Sequence, residues 1–125
     1  MIHAKPIKSK PILYAVCLPE MQRIAKENGY NLLVHGSMDR DLDLVCVAWN
    51  DNPVDPYELL EKLREFLGAL RCVDAKGNPS YNHSVLPGSR DSYILHLNYG
   101  FNALGHHTDD QWYLDISFTP RIKKD

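Results

Sequence analysis

The sequence predicts a small α+β domain, a mixed sheet with helices packed on one face. Three observations carry that prediction. Residues 30–35 (YNLLVH) and 41–48 (DLDLVCVA) are short apolar runs rich in Leu and Val, separated by a Gly-Ser turn, and read as strands. Residues 55–70 repeat their apolar positions at spacings of three and four, as a helix on a sheet does. Residues 91–99 (DSYILHLNY) and 111–119 (QWYLDISFT) alternate as a late pair of strands around a turn-rich stretch, with no second helical crossover and no internal repeat. At 125 residues the chain fits a single domain, 1–125, with a sufficient core.

Taken in order, Lys5, Pro6, Lys8, Lys10 and Pro11 make an extended basic lead-in, and Pro11 suits a first helical position, where a missing N–H costs nothing. Ile12, Val16, Met21, Ile24 and Ala25 recur at helical spacing, with Pro19 expected to kink the element or divide it into two short helices. Gly29 closes it as a C-cap. After the first two strands, residues 50–53 form a loop. Asp55-Pro56-Tyr57-Glu58 then supplies an N-cap, a Pro in the first turn and a Glu in a capping-box arrangement. Leu59, Leu60, Leu63, Phe66, Leu67 and Leu70 line the apolar face of that helix, opposite Glu61, Lys62, Arg64 and Glu65. Residues 72–90, broken by Gly77-Asn78-Pro79 and Pro87-Gly88-Ser89, read as loop or short strand.

The formal net charge of −2 does not mark a phosphate-backbone binder, so nucleic acid is not indicated. No apolar run approaches the roughly 20 residues that span a bilayer. With no apolar stretch near its start, the chain is expected to be cytoplasmic and to have no membrane partner. Cys17, Cys46 and Cys72 are widely spaced and odd in number, which fits neither a disulfide framework nor a CxxC metal site, and are expected to be buried thiols.

The acids carry most of the chemistry. Asp41 and Asp43 lie two apart on a strand and therefore share a face, roughly 6–7 Å apart along the backbone, while Leu42, Leu44 and Cys46 point into the core. Strands are depleted in Asp, and two carboxylates so close are unfavourable without a cation between them. A divalent metal is the expected cation. A third acid, Asp115, sits between Leu114 and Ile116 on the last strand, on the face of Tyr113 and Ser117. If that strand lies beside the first acidic strand, three carboxylates converge, as two-metal phosphoryl-transfer sites require. Taken singly, Gly36-Ser37 is also what an ordinary hairpin turn uses. Asp41 alone also fits the solvated start of a strand, and Asp115 alone a structural bridge to Arg90 or Arg121.

Together, Gly36-Ser37 after an apolar strand, Asp41-Leu42-Asp43 on the next and Leu114-Asp115-Ile116 on a later one resemble the nucleotidyltransferase superfamily, the DNA polymerase β-like group. The order of elements is similar too. The resemblance implies that Gly36 and Ser37 contact a nucleoside triphosphate and that Asp41 and Asp43 bind Mg²⁺ or Mn²⁺. It further implies that Asp115 completes the metal site and activates an acceptor hydroxyl. The family commonly carries a short helical segment between Gly-Ser and the acid pair, whereas only Met38, Asp39 and Arg40 intervene here; Arg40 is the candidate substitute for its phosphate contacts. The whole chain also resembles small uncharacterised bacteriophage proteins.

Other signals are weaker. His35 and His96 are candidates for the site but more ordinarily structural. His106-His107 lacks the spacing that puts two imidazoles on one zinc ion. Arg90 is placed to reach a phosphate or form a surface ion pair, and Trp49, Trp112 and Tyr113 to stack on a base or fill a core. The expected function is metal-dependent nucleotidyl transfer from an NTP to an unidentified acceptor hydroxyl. The rival is a non-catalytic binding or interaction protein of the same fold, with a protein partner. A metal-dependent phosphodiesterase or nuclease is disfavoured by the lack of a basic groove.

Overall fold

The computed structural model describes residues 9–36, 42–69, 73–78, 80–97 and 113–120. Two helices and five strands follow in the order α1 (Ser9–Glu27), β1 (Tyr30–His35), β2 (Leu42–Ala48), α2 (Pro56–Leu67), β3 (Ser84–Leu86), β4 (Arg90–His96) and β5 (Tyr113–Phe118). The strands form one mixed sheet in the order β1-β2-β5-β4-β3. β1 and β2 are antiparallel, β2 and β5 parallel, and β4 antiparallel to both β5 and β3. This is the α+β architecture expected from the sequence.

Alternation builds the core. Tyr30 and Leu32 of β1, Leu42, Leu44 and Cys46 of β2, Tyr93 and Leu95 of β4, and Leu114, Ile116 and Phe118 of β5 are all buried, each two residues from the next on its strand. They share one cluster with Met21 and Ala25 of α1 and with Leu59, Leu60 and Leu63 of α2, so both helices cover the same face of the sheet. Phe66, expected on the apolar face of α2, is instead largely exposed, as is Val16 of α1. Both lie beyond the width of stripe that the sheet can cover.

α1 runs through Pro19 as one helix rather than two. Proline removes one backbone hydrogen bond, and the burial of Met21 and Ala25 beyond it anchors the second half on the core. Pro11 falls in the first turn, where N–H groups have no helical partner. Cys17 is only half-buried, contrary to expectation, Cys46 is fully buried, and Cys72 lies outside the described residues. Leu70 lies outside them too.

α2 begins with the N-cap and the first-turn Pro that its sequence indicates, whereas Glu58 faces Lys62. The Asp55 carboxylate accepts from the Tyr57 backbone N–H at 3.0 Å, and Pro56 occupies the first turn. Glu58 sits 3.7 Å from Lys62 on the exposed side. At the other end Gly68 is left-handed, and the N–H groups of Gly68 and Ala69 close on the carbonyls of Glu65 and Arg64, a Schellman cap. Asp55→Ala should cost about 1 kcal/mol of stability by loss of the cap. The check is the midpoint of urea unfolding.

Gly29 joins α1 to β1 at φ +94°, and a Cβ there would lie 2.6 Å from the Pro53 Cα. Backbone cannot yield as a side-chain tip can. Gly29→Ala should therefore destabilise by about 2–3 kcal/mol, combining left-handed strain with the clash, as a drop in melting temperature would reveal. The same junction is knitted by Asn28, which donates to the Ile24 carbonyl at 2.7 Å and accepts from Lys62 Nζ at 2.6 Å. The Tyr30 hydroxyl donates to the Val54 carbonyl at 2.5 Å.

Candidate functional site

The second face of the sheet carries the other alternates, polar and apolar mixed. On β1 these are Asn31, Leu33 and His35; on β2 Asp43, Val45 and Val47; on β5 Asp115 and Ser117; and on β4 Ser92, Ile94 and His96. Leu33 is 51 % exposed and His35 exposed, Asp43 and Asp115 are half-buried, and Ser117 is buried.

One cross-strand row defines the site. His35 on β1 is in register with Asp43 on β2, Asp43 with Asp115 on β5, and Asp115 with Ile94 on β4. Neighbouring strands lie about 4.8 Å apart, so the Asp43 and Asp115 side chains stand next to each other on one face. The proximity follows from parallel pairing of strands distant in sequence. Asp43 also reaches the turn that ends β1. Gly36 is left-handed at φ +95°, and a Cβ added to it would lie 3.0 Å from Asp43 Oδ2. The carboxylate thus lies over the glycine, where a larger residue would crowd it.

Of the expected site residues, Gly36, Asp43 and Asp115 are brought together; Ser37, Arg40 and Asp41 lie outside the described residues. Among the described residues no three His, Cys, Asp or Glu side chains gather closely enough to hold a metal ion. The two acids do fit a hard divalent cation, since both offer carboxylate oxygen on adjacent strands.

Other candidates fall elsewhere. His96 ends β4, with its ring 3.4 Å from the Asn82 amide nitrogen. Arg90 lies four positions before Ile94, roughly 13 Å from the Asp115 row by strand rise, too far for direct pairing of the backbones' side-chain rows. Trp49 is 51 % exposed and donates from Nε1 to the Lys26 carbonyl at the end of α1, which ties it to the helix terminus. Trp112, His106, His107 and Arg121, and the side chain of Tyr113, lie outside the described residues.

A second group of residues is assembled by the fold and was not anticipated from the sequence. Tyr81 is fully buried in a left-handed conformation, and its hydroxyl donates to the Glu61 carboxylate of α2. Burial first, and then that carboxylate, raise the Tyr81 hydroxyl above its ordinary pKa. His83 stacks on Tyr93 with ring centroids 4.9 Å apart and contacts Asp91 at 2.7 Å. Only the run Tyr81-Asn82-His83-Ser84 in a loop marked these positions in the sequence.

No protein-family model matches the chain, and no curated protein matches it either. Among the described residues, no helix is long and apolar enough to cross a membrane.

Proposed function

We propose that the chain catalyses metal-dependent transfer of a nucleotidyl group from an NTP to an acceptor hydroxyl, as the resemblance of its motifs to the DNA polymerase β-like nucleotidyltransferases implies. The supporting observation is the register of Asp43 with Asp115 on parallel neighbouring strands, beside the left-handed Gly36. Asp43 and Asp115, with Asp41, would hold Mg²⁺ or Mn²⁺, whose charge would neutralise phosphate oxygens. Gly36 and Ser37 would bind triphosphate oxygens through backbone N–H and hydroxyl donors, and Arg40 would add a fixed positive charge. Asp115 would accept the proton of the acceptor hydroxyl as that oxygen bonds to the α-phosphorus and pyrophosphate departs.

Metal titration followed by NTP tests the reading through linkage. Mg²⁺ or Mn²⁺ should raise the melting temperature, an NTP should raise it further only with metal present, and Asp43→Asn should lose both effects. The short connection of Met38, Asp39 and Arg40 favours a second reading, a binding protein that keeps the fold and has lost catalysis. No stabilisation by either metal or NTP would overturn the first reading in favour of the second.

A further inference from the structure

A recess separate from the acidic row lies on the opposite, helix-covered face of the sheet. Phe118 follows Asp115 by three positions on β5, roughly 10 Å along the strand and with the opposite facing. Here a cavity of about 240 Å³ is lined by Tyr30, Tyr57, Tyr93 and Phe118, by Asp55 and Asp91, and by Pro56, Thr119 and Pro120. The rings meet edge to face. Tyr30 and Phe118 are 5.2 Å apart at 79°, Tyr57 and Tyr93 5.2 Å at 71°, and Tyr93 and Phe118 5.7 Å at 80°. Three strands and the first turn of α2 each contribute, so the walls are fixed by the core itself.

We infer that this cavity binds a small methylated ammonium ion, held by the aromatic rings and the paired Asp55 and Asp91 carboxylates. Aromatic faces attract a cation most when it is desolvated, and a quaternary ammonium loses water more readily than a primary amine. Both carboxylates already accept hydrogen bonds, Asp55 from the Tyr57 N–H and Asp91 facing His83. They supply negative potential more readily than the full set of acceptors a primary ammonium requires. The field is visible at Tyr93, whose hydroxyl is raised by burial first and then by Tyr57, Asp91 and Asp55. An anion would meet two carboxylates, and a neutral apolar ligand would gain nothing from their negative potential. Nothing in this site depends on the acidic row of the other face.

Choline and its neutral isostere, with carbon in place of the quaternary nitrogen, provide the test on the full chain. Titration followed by NMR should give saturable shifts at the rings of Tyr57, Tyr93 and Phe118 with choline, and at least about tenfold weaker binding of the isostere. Asp91→Asn, and Asp55→Asn, which keeps an N-cap side chain, should each weaken choline by several fold while Asp43→Asn leaves it unchanged. Equal binding of the isostere, no choline binding, or full affinity in a folded Asp55→Asn/Asp91→Asn double variant would overturn the proposal. Melting curves of the variants establish that they are folded.

Discussion

Asp43→Asn should lower metal-dependent nucleotidyl transfer by at least about a hundredfold while leaving the fold intact, the order of effect seen when one charge-stabilising group is removed from a reaction centre. Asparagine preserves the shape and one oxygen of the side chain but removes the negative charge that would hold a divalent cation beside Asp115. Without metal the same change relieves repulsion between two carboxylates on adjacent strands, in register and on one face. At that spacing the relief is worth up to about 1 kcal/mol under near-aqueous screening. The variant should therefore melt at the same temperature as the parent or slightly higher. Pyrophosphate release gives the activity and circular dichroism the stability. Unchanged release would remove Asp43 from the mechanism, and a large loss of stability would show that it acts structurally.

The outcome rests on a feature only half legible in the sequence. That Asp43 turns away from the core follows from alternation with Leu42, Leu44 and Cys46, each of which is buried. That Asp115 does the same follows from Leu114 and Ile116. Their adjacency does not follow, because pairing of β2 with β5 is decided by long-range packing after 64 intervening residues, 49–112, that include a helix and two further strands. Local chemistry was read well where it is local: the Asp55-Pro56 start of α2, and Gly29 at the end of α1. At Pro19 the local rule allowed a kink or a division, and the helix is not divided, because tertiary burial of Met21 and Ala25 outweighs the lost hydrogen bond. The aromatic cavity was hidden for the same reason as the acid pair. Tyr30, Tyr57, Tyr93 and Phe118 stand on different elements and show no common spacing; only sheet order and the seat of α2 gather them.

Above about pH 9 the folded protein should lose stability steeply, and Cys46 should be the first cause. Its thiol is fully buried on the core face of β2, and burial pushes its pKa from 9.0 up to about 12. In the unfolded chain the thiol ionises near its ordinary value, so unfolding releases a proton throughout this interval. The stability is fully present below pH 9 and is lost as pH rises toward 12, with the folded-to-unfolded ratio falling about tenfold per pH unit. Tyr81 and Tyr93 are both raised as well, chiefly by burial, and act with the same sign once pH exceeds their ordinary value of 10.0. Urea titrations at stepped pH should show the fall, and Cys46→Ala should flatten its first part, before the tyrosines contribute. An unchanged slope in that variant would show that another group carries the alkaline transition. The distinction matters for the acid pair: an activity that declines above pH 9 in step with unfolding reports the core, whereas a decline that persists in Cys46→Ala reports the chemistry at Asp43 and Asp115.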